Sequence, residues 1–252
     1  HNGFKKYASN TGWMFFGQFF SLLVSFFVSA WLARYFGPEH YGMFSYAIAF
    51  VGLFSFVASL GVDGVLSRVL VEHPEKRDEL LGTGFLLKIV GGLIAIALVL
   101  CTSFIFVPDV FVRNLIILYC CIFVFEPFNI ITVFFQSQVQ AKINTQIRIC
   151  TLLISSLLKI ALILSGKGII WLTFIFVFDA LLNVLFAVSF YKKSRLQITQ
   201  WCYAQGLARN MLVGSLFLVF ASAANYIFVR IDQVMIGAML GNMEVGLYAA
   251  AV

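Results

Sequence analysis

Charge is scarce in this sequence. Of its 252 residues only 11% are Asp, Glu, Lys or Arg, while 62% are hydrophobic and 17% aromatic. A soluble domain carries about a quarter charged residues, and one core cannot hide this much apolar surface, so a water-soluble globular fold is excluded. Histidine is rarer still: His1, His40 and His73 are terminal or in loops and too far apart in sequence to suggest metal ligands. The five cysteines, Cys101, Cys120, Cys121, Cys150 and Cys202, show no CxxC spacing and read as small apolar residues of helices. No GxxxxGK[ST] phosphate loop occurs, "GKG" at Gly166 to Gly168 being a short turn between apolar runs, so nothing here points to ATP hydrolysis. Long loops are also missing. A membrane-embedded glycosyltransferase or polymerase would be expected to hold an acidic metal-binding or substrate-activating cluster in one, and no loop exceeds roughly 20 residues. The expectation is a protein that is not an enzyme, with no cofactor and no metal site.

What is present is a succession of apolar runs of roughly 17 to 27 residues, and about 20 in a helix cross the hydrocarbon slab. Seven helices are expected: Trp13 to Phe36, Tyr41 to Leu60, Leu81 to Val107, Phe111 to Phe135, Ile147 to Ser165, Ile169 to Tyr191, and Met211 to about Leu240. An eighth begins near Glu244. Barrel strands would alternate apolar and polar residues over about ten positions; these runs are apolar on all sides, as lipid-exposed helices are. The fold class is therefore all-α, a polytopic membrane protein. The first run is too long for the apolar region of a cleavable signal and lacks a small-residue cleavage site.

Lys and Arg positions set the orientation. The N-terminus and the ends on its side hold Lys5, Lys6, Arg68, Lys76, Arg77, Lys142, Arg148, Lys192, Lys193, Arg195 and Arg209, eleven in all; the opposite ends hold only three, Arg34, Arg113 and Lys167. That bias places the N-terminus in the cytoplasm. The net charge of +6 then reflects topology and contact with anionic membrane lipids, and calls for no nucleic acid. "KKSRLQITQW", Lys192 to Trp201, is the densest basic segment and reads as an interfacial strip.

Two turns repeat. "FGPEHYG", Phe36 to Gly42, and "LGNMEVG", Leu240 to Gly246, superpose at an offset of 204, which also matches Phe16 with Phe220 and Ala47 with Ala251. In each, Gly37 or Gly241 ends an outgoing helix and a Pro or polar residue opens the returning one. Gly42 and Gly246, one turn further in, allow two helices to approach closely. Six spans separate the copies, an even number, so the copies share an orientation and are related by an axis along the membrane normal.

"LARYFGPEHYGMFSYAIAFVGLF", "GVDGVLSRVL" and "VRIDQVMIGAMLGNMEVGLYAAAV" resemble the signatures of the polysaccharide-transporter branch of the multidrug, oligosaccharidyl-lipid and polysaccharide exporter superfamily, and within it the O-antigen and capsule repeat-unit flippases. The resemblance covers nearly the whole chain and is sharpest at Arg34 to Phe54 and Arg230 to Val252. It implies two six-helix lobes, usually with two further helices, around a V-shaped cavity that opens alternately to the two membrane faces. On that reading residues 1–206 form the N-terminal lobe, residues 207–252 begin a second, parallel-repeat lobe, and the chain is a fragment of a 12–14 helix exporter. The implied substrate is a polyprenyl-pyrophosphate-linked oligosaccharide, handled alongside other polysaccharide-assembly proteins. A multidrug or cation antiporter of the same superfamily is the closest rival.

Ionisable residues at bilayer depth cost at least a few kcal/mol each and persist where water, a partner or a ligand compensates them. In helix 5 Lys159, and in helix 6 Asp179, fall at similar depths on sequential antiparallel helices, so an ion pair is expected; it either fixes packing or responds to a ligand or ion. Glu126 precedes Pro127 near the middle of helix 4, where proline bends the helix. Matching Arg230 to Phe26 and Asp232 to Val28 places both charges inside the membrane, on different faces because residues two apart project about 200° from each other. The alternative ends helix 7 early and leaves both in the headgroup region. Lys88 either snorkels to the interface or faces the interior, and Arg34 either anchors the outer end of helix 1 or faces the cavity. Asp63 and Arg68 organise the inner end of helix 2. In a sugar-lipid exporter Arg230, Lys159, Arg34 and Lys88 are the candidate contacts to pyrophosphate or acidic sugar. Asp179, Glu126 and Asp232 balance charge or take up the coupling ion, H⁺ or Na⁺.

Overall fold

A computed structural model describes residues 2–251, with side chains from Thr11 onward. Lys5 and Lys6, counted in the charge bias, and His1 lie outside the residues whose side chains are described. Ten α-helices follow one another without a strand among the described residues: α1 (Asn2–Gly52), α2 (Ser55–Ser59), α3 (Val62–Glu72), α4 (Arg77–Phe106), α5 (Val110–Tyr119), α6 (Ile130–Ser137), α7 (Ala141–Leu164), α8 (Ile169–Lys193), α9 (Gln205–Met239) and α10 (Asn242–Ala251). Five helical stretches are long and apolar enough to cross a membrane, and the bent pair Val110–Val124 and Glu126–Ser137 makes a sixth such stretch when taken as one span. Their outer faces carry large, mostly exposed side chains such as Phe15, Phe26, Phe217 and Phe228. An apolar surface of that extent suits lipid and not water. The chain is an all-α, multi-pass membrane protein.

One of those stretches, Thr11–Gly52, is 42 residues long, about 63 Å at 1.5 Å per residue and twice the hydrocarbon thickness. Gly37 resolves the excess. Its φ of 72° and ψ of 169° break the helix in a region that glycine alone adopts readily. The Tyr41 hydroxyl then hydrogen-bonds the Ser29 side chain, twelve residues back, which a straight helix would hold about 18 Å away. The chain therefore reverses at Gly37, and the second crossing runs from Pro38 through α2 and α3.

That second crossing differs from expectation. It does not end at Leu60 but continues to Glu72 after a break at Leu60 and Gly61, both of positive φ (49° and 62°). The polar residues Asp63, Ser67 and Arg68 lower the hydropathy there and suggest a helix end. Asp63 instead lies within the bundle, compensated by a partner on α4. The fourth crossing bends by 41° at Glu126 and Pro127, as proline in a span requires, and Cys120–Val124 and Glu126–Asn129 wind as 3₁₀ turns. The seventh helix does not stop at Arg230; α9 runs on to Met239.

The apolar interior falls into two clusters. One gathers Leu32, Phe44, Val51, Val99, Ile116, Phe123, Leu162 and Leu172 toward the Gly37 end. The other gathers Leu66, Leu81, Ile130, Phe135, Ile147 and Tyr191 toward the basic end. Along α4, the bent fourth crossing, α7 and α8, the charged residues Lys88, Glu126, Lys159 and Asp179 sit between members of the two clusters. The fold thus sandwiches a thin polar layer between two apolar ones.

Both ends of the bundle are tied. At the basic end Trp201 Nε1 donates to Tyr191 Oη at 3.1 Å, Cys202 N donates to Asp78 O at 3.3 Å, and Ala204 N donates to Thr83 Oγ1 at 3.0 Å. These bonds hold the segment after α8 against the start of α4. At the opposite end the two repeated turns meet. Gly241, like Gly37, has positive φ, 103°. A Cβ added at Gly42 would land on the backbone of Asn242, and one added at Gly246 on the backbone of Pro38. Pro38 and Asn242 are themselves 204 residues apart, so the contact is reciprocal: each copy's turn opener touches the other copy's glycine. That is how surfaces related by a two-fold axis meet, and it agrees with the offset read from the sequence.

Candidate transport site

Lys88 is buried completely on α4, at 0% exposure. Its Nζ lies 2.7 Å from Asp63 Oδ1 and 3.2 Å from Glu126 Oε1. It does not snorkel, because the two carboxylates together compensate the desolvated ammonium where it stands. They remain about one-third exposed, 33% and 32%, and both face a cavity of about 340 Å³ walled also by Asn129, Ser222 and Tyr226. Asp63 was not a candidate on sequence, but there is a signal for it. Asp63 and Lys88 stand nine and eleven residues from the ends of the helices that flank the Pro74–Lys76 turn, hence at matching depths on an antiparallel pair.

The second cluster joins α7 and α8. Lys159 Nζ donates to Asp179 Oδ2 at 3.0 Å, Ser155 Oγ donates to the same oxygen at 2.7 Å, and the ammonium sits 4.0 Å from the centre of the Phe176 ring. The expected pair is therefore formed. Both of its polar contacts fall on Oδ2, leaving Asp179 Oδ1 buried and without a hydrogen-bond partner. Asp179 lines a second cavity of about 410 Å³ with Glu126, Asn129 and Tyr226. Those last three residues also line the cavity beside Lys88, so the two ionic clusters share a wall.

Arg230 and Asp232 diverge as the helix geometry requires. Asp232 accepts a hydrogen bond from Tyr248 Oη at 2.9 Å. Arg230 lays its stem against Gly52, where an added Cβ would come within 3.5 Å of Cγ and Nε. Among the described residues no carboxylate pairs with Arg230, nor with Arg34, which is exposed near the Gly37 turn. The structure thus gathers Lys88, Glu126, Lys159 and Asp179 around adjoining cavities and leaves Arg34 outside them. In composition the layer is balanced and not cationic: three acids, Asp63, Glu126 and Asp179, face two lysines, with Arg230 the cation that has no acid beside it. Such a layer can hold water, exchange a proton or small cation at the second carboxylate beside Lys88, and present the unpaired guanidinium of Arg230 to an anion.

A family model described as "Polysaccharide biosynthesis protein" matches residues 7–252. A solved structure of the inward-facing conformation of a multidrug resistance MATE family transporter of the MOP superfamily superposes with a TM-score of 0.66 at 14% sequence identity, over 92% of this chain and 57% of that one. At that identity the likeness is one of fold, and the chain spans little more than half the transporter's length. No individually curated protein matches the chain.

Proposed function

Since the chain belongs to the polysaccharide biosynthesis protein family and has the fold of an exporter, we propose that it contributes the first lobe and the start of the second lobe of a flippase for polyprenyl-pyrophosphate-linked oligosaccharides. Residues 1–206 make the N-terminal lobe and residues 207–252 open its repeat. The protein sits in the inner membrane with its basic end toward the cytoplasm, an orientation that the Lys and Arg bias supports. The substrate has an anionic headgroup, a large polar sugar chain and a lipid tail that stays in the bilayer. Moving it needs a hydrated cleft inside the protein, open sideways to lipid. The observation that carries this reading is the polar layer at bilayer depth, with two adjoining cavities on its surface.

Arg230 is the group for the pyrophosphate. Its planar fork donates to two oxygens at once, and no carboxylate competes for it. Lys88 and Lys159 are already neutralised by their carboxylates, so they hold the acids of the wall in place. The surplus carboxylate beside Lys88, Asp63 or Glu126, is where a coupling H⁺ or Na⁺ binds, since two acids around one ammonium leave one negative charge over. In the transport cycle the reciprocal glycine contact at the Gly37 end is what closes that face.

The test is complementation. The full-length protein expressed in a strain lacking its repeat-unit flippase restores surface polysaccharide, and Arg230→Ala abolishes it without loss of membrane insertion; normal export by the variant removes the proposal. A drug–cation antiporter would instead give resistance to cationic dyes and leave surface polysaccharide unrestored.

A further inference from the structure

The cavity between α7, α8, α9 and the bent fourth crossing has a wall that the charges do not account for. We propose that it is a subsite for one uncharged sugar ring, recognised by Asp179, Thr151 and Asn183; this rests on the flippase reading above. Thr151 is 9% exposed and its hydroxyl has no hydrogen-bond partner, as is also true of Asp179 Oδ1. Both residues line the same cavity of about 410 Å³, within the range of about 300–1,000 Å³ usual for small-molecule sites. A buried polar atom left unpaired is costly; both atoms are closed off from solvent in this structure although their residues line the cavity, and in the proposed subsite the two side chains turn them to a ligand's hydroxyls. One is an acceptor and the other both donates and accepts, which suits neighbouring hydroxyls of a pyranose.

The remaining wall fits the same ligand. Asn129 and Asn183 supply amides, and Tyr119, Phe125 and Tyr226 supply flat, partly exposed aromatic surface for the apolar C–H face of a sugar ring. A pyrophosphate is disfavoured, because no lysine or arginine lines this cavity while the carboxylates Glu126 and Asp179 do, and Lys159 behind it is already paired with Asp179 at 3.0 Å. Tyr226 comes from α9, so the ring is held between the first lobe and the helix that opens the second.

The experiment uses the purified full-length transporter and two probes, farnesyl pyrophosphate and the same lipid carrying one N-acetylglucosamine. The wild type is expected to bind the sugar-bearing probe at least about 10-fold more tightly, the worth of one well-made hydrogen bond set. Thr151→Val keeps the side-chain shape and removes only a buried hydroxyl without a partner, so it folds; in it, and in Asn183→Leu, the advantage falls below about 3-fold while the bare lipid binds as before. An unchanged advantage in both variants overturns the subsite and leaves the flippase reading standing. Equal affinity of the wild type for the two probes does the same. Binding of neither probe overturns the subsite together with the flippase reading. If Thr151→Val alters only the Na⁺ dependence of binding, the cavity holds a cation and the proposal fails.

Discussion

Replacing Lys88 with Met removes the cation from between two carboxylates and leaves the packing volume nearly unchanged. At 2.7 Å and 3.2 Å the two attractions are each about 5–6 kcal/mol for an effective dielectric constant of about 20. Most of that is offset by the cost of stripping water from a fully buried ammonium. Breaking a buried pair typically costs about 3–5 kcal/mol. Here the acids keep about a third of their surface, so water or a proton relieves them and the lower figure, about 3 kcal/mol, applies. For a chain of this size that is a fall of about 6–12 °C in the melting temperature, measurable by following loss of the monodisperse peak on heating the detergent-solubilised protein. The compensated variant, Lys88→Met with Asp63→Asn and Glu126→Gln, carries no charge at this cluster and recovers most of the loss. A single variant as stable as wild type, or a triple variant no better than the single, refutes the argument that the lysine and the two acids form one unit.

Three other outcomes follow from the same geometry. Lys159→Met leaves Asp179 with Ser155 as its only partner and costs about 3 kcal/mol; adding Asp179→Asn recovers more than half, as a double-mutant cycle on thermal stability will show. Gly42→Val drives side-chain atoms into the backbone of Asn242, costs about 1–3 kcal/mol, and lengthens the distance between spin labels at Glu39 and Met243. Trp201→Phe removes the hydrogen bond to Tyr191, costs about 1 kcal/mol, and increases proteolysis of the segment between α8 and α9.

The helices and the central ion pair were legible in the sequence for physical reasons. A span must be apolar for about 20 residues whatever it packs against, and two opposite charges at equal depth on adjacent antiparallel helices meet with little help from the rest of the fold. The Gly37 turn was legible because its repeat at Gly241 removed the ambiguity of one short polar loop. Asp63 was not legible as a site residue. Hydropathy treats an acid as the end of a span, and only its distance from the turn, compared with that of Lys88, reveals that it is held inside. Nor was Thr151 legible. A threonine inside an apolar run is common, and what sets this one apart is a buried, unpaired hydroxyl on a residue that lines a cavity, which depends on where the neighbouring helices stand.

The central claim is that the scarce charges lie along a wet interior passage. Cysteine accessibility tests it most directly. In the membrane-embedded full-length protein, with its native cysteines replaced, Ser222→Cys and Asn183→Cys should react with a charged, membrane-impermeant methanethiosulfonate, whereas Leu185→Cys and Phe217→Cys, on outward faces, should not. Protection of both cavity positions, with labelling no greater than at the outward-facing controls, would mean that the layer is dry and that no sugar-bearing lipid passes along it.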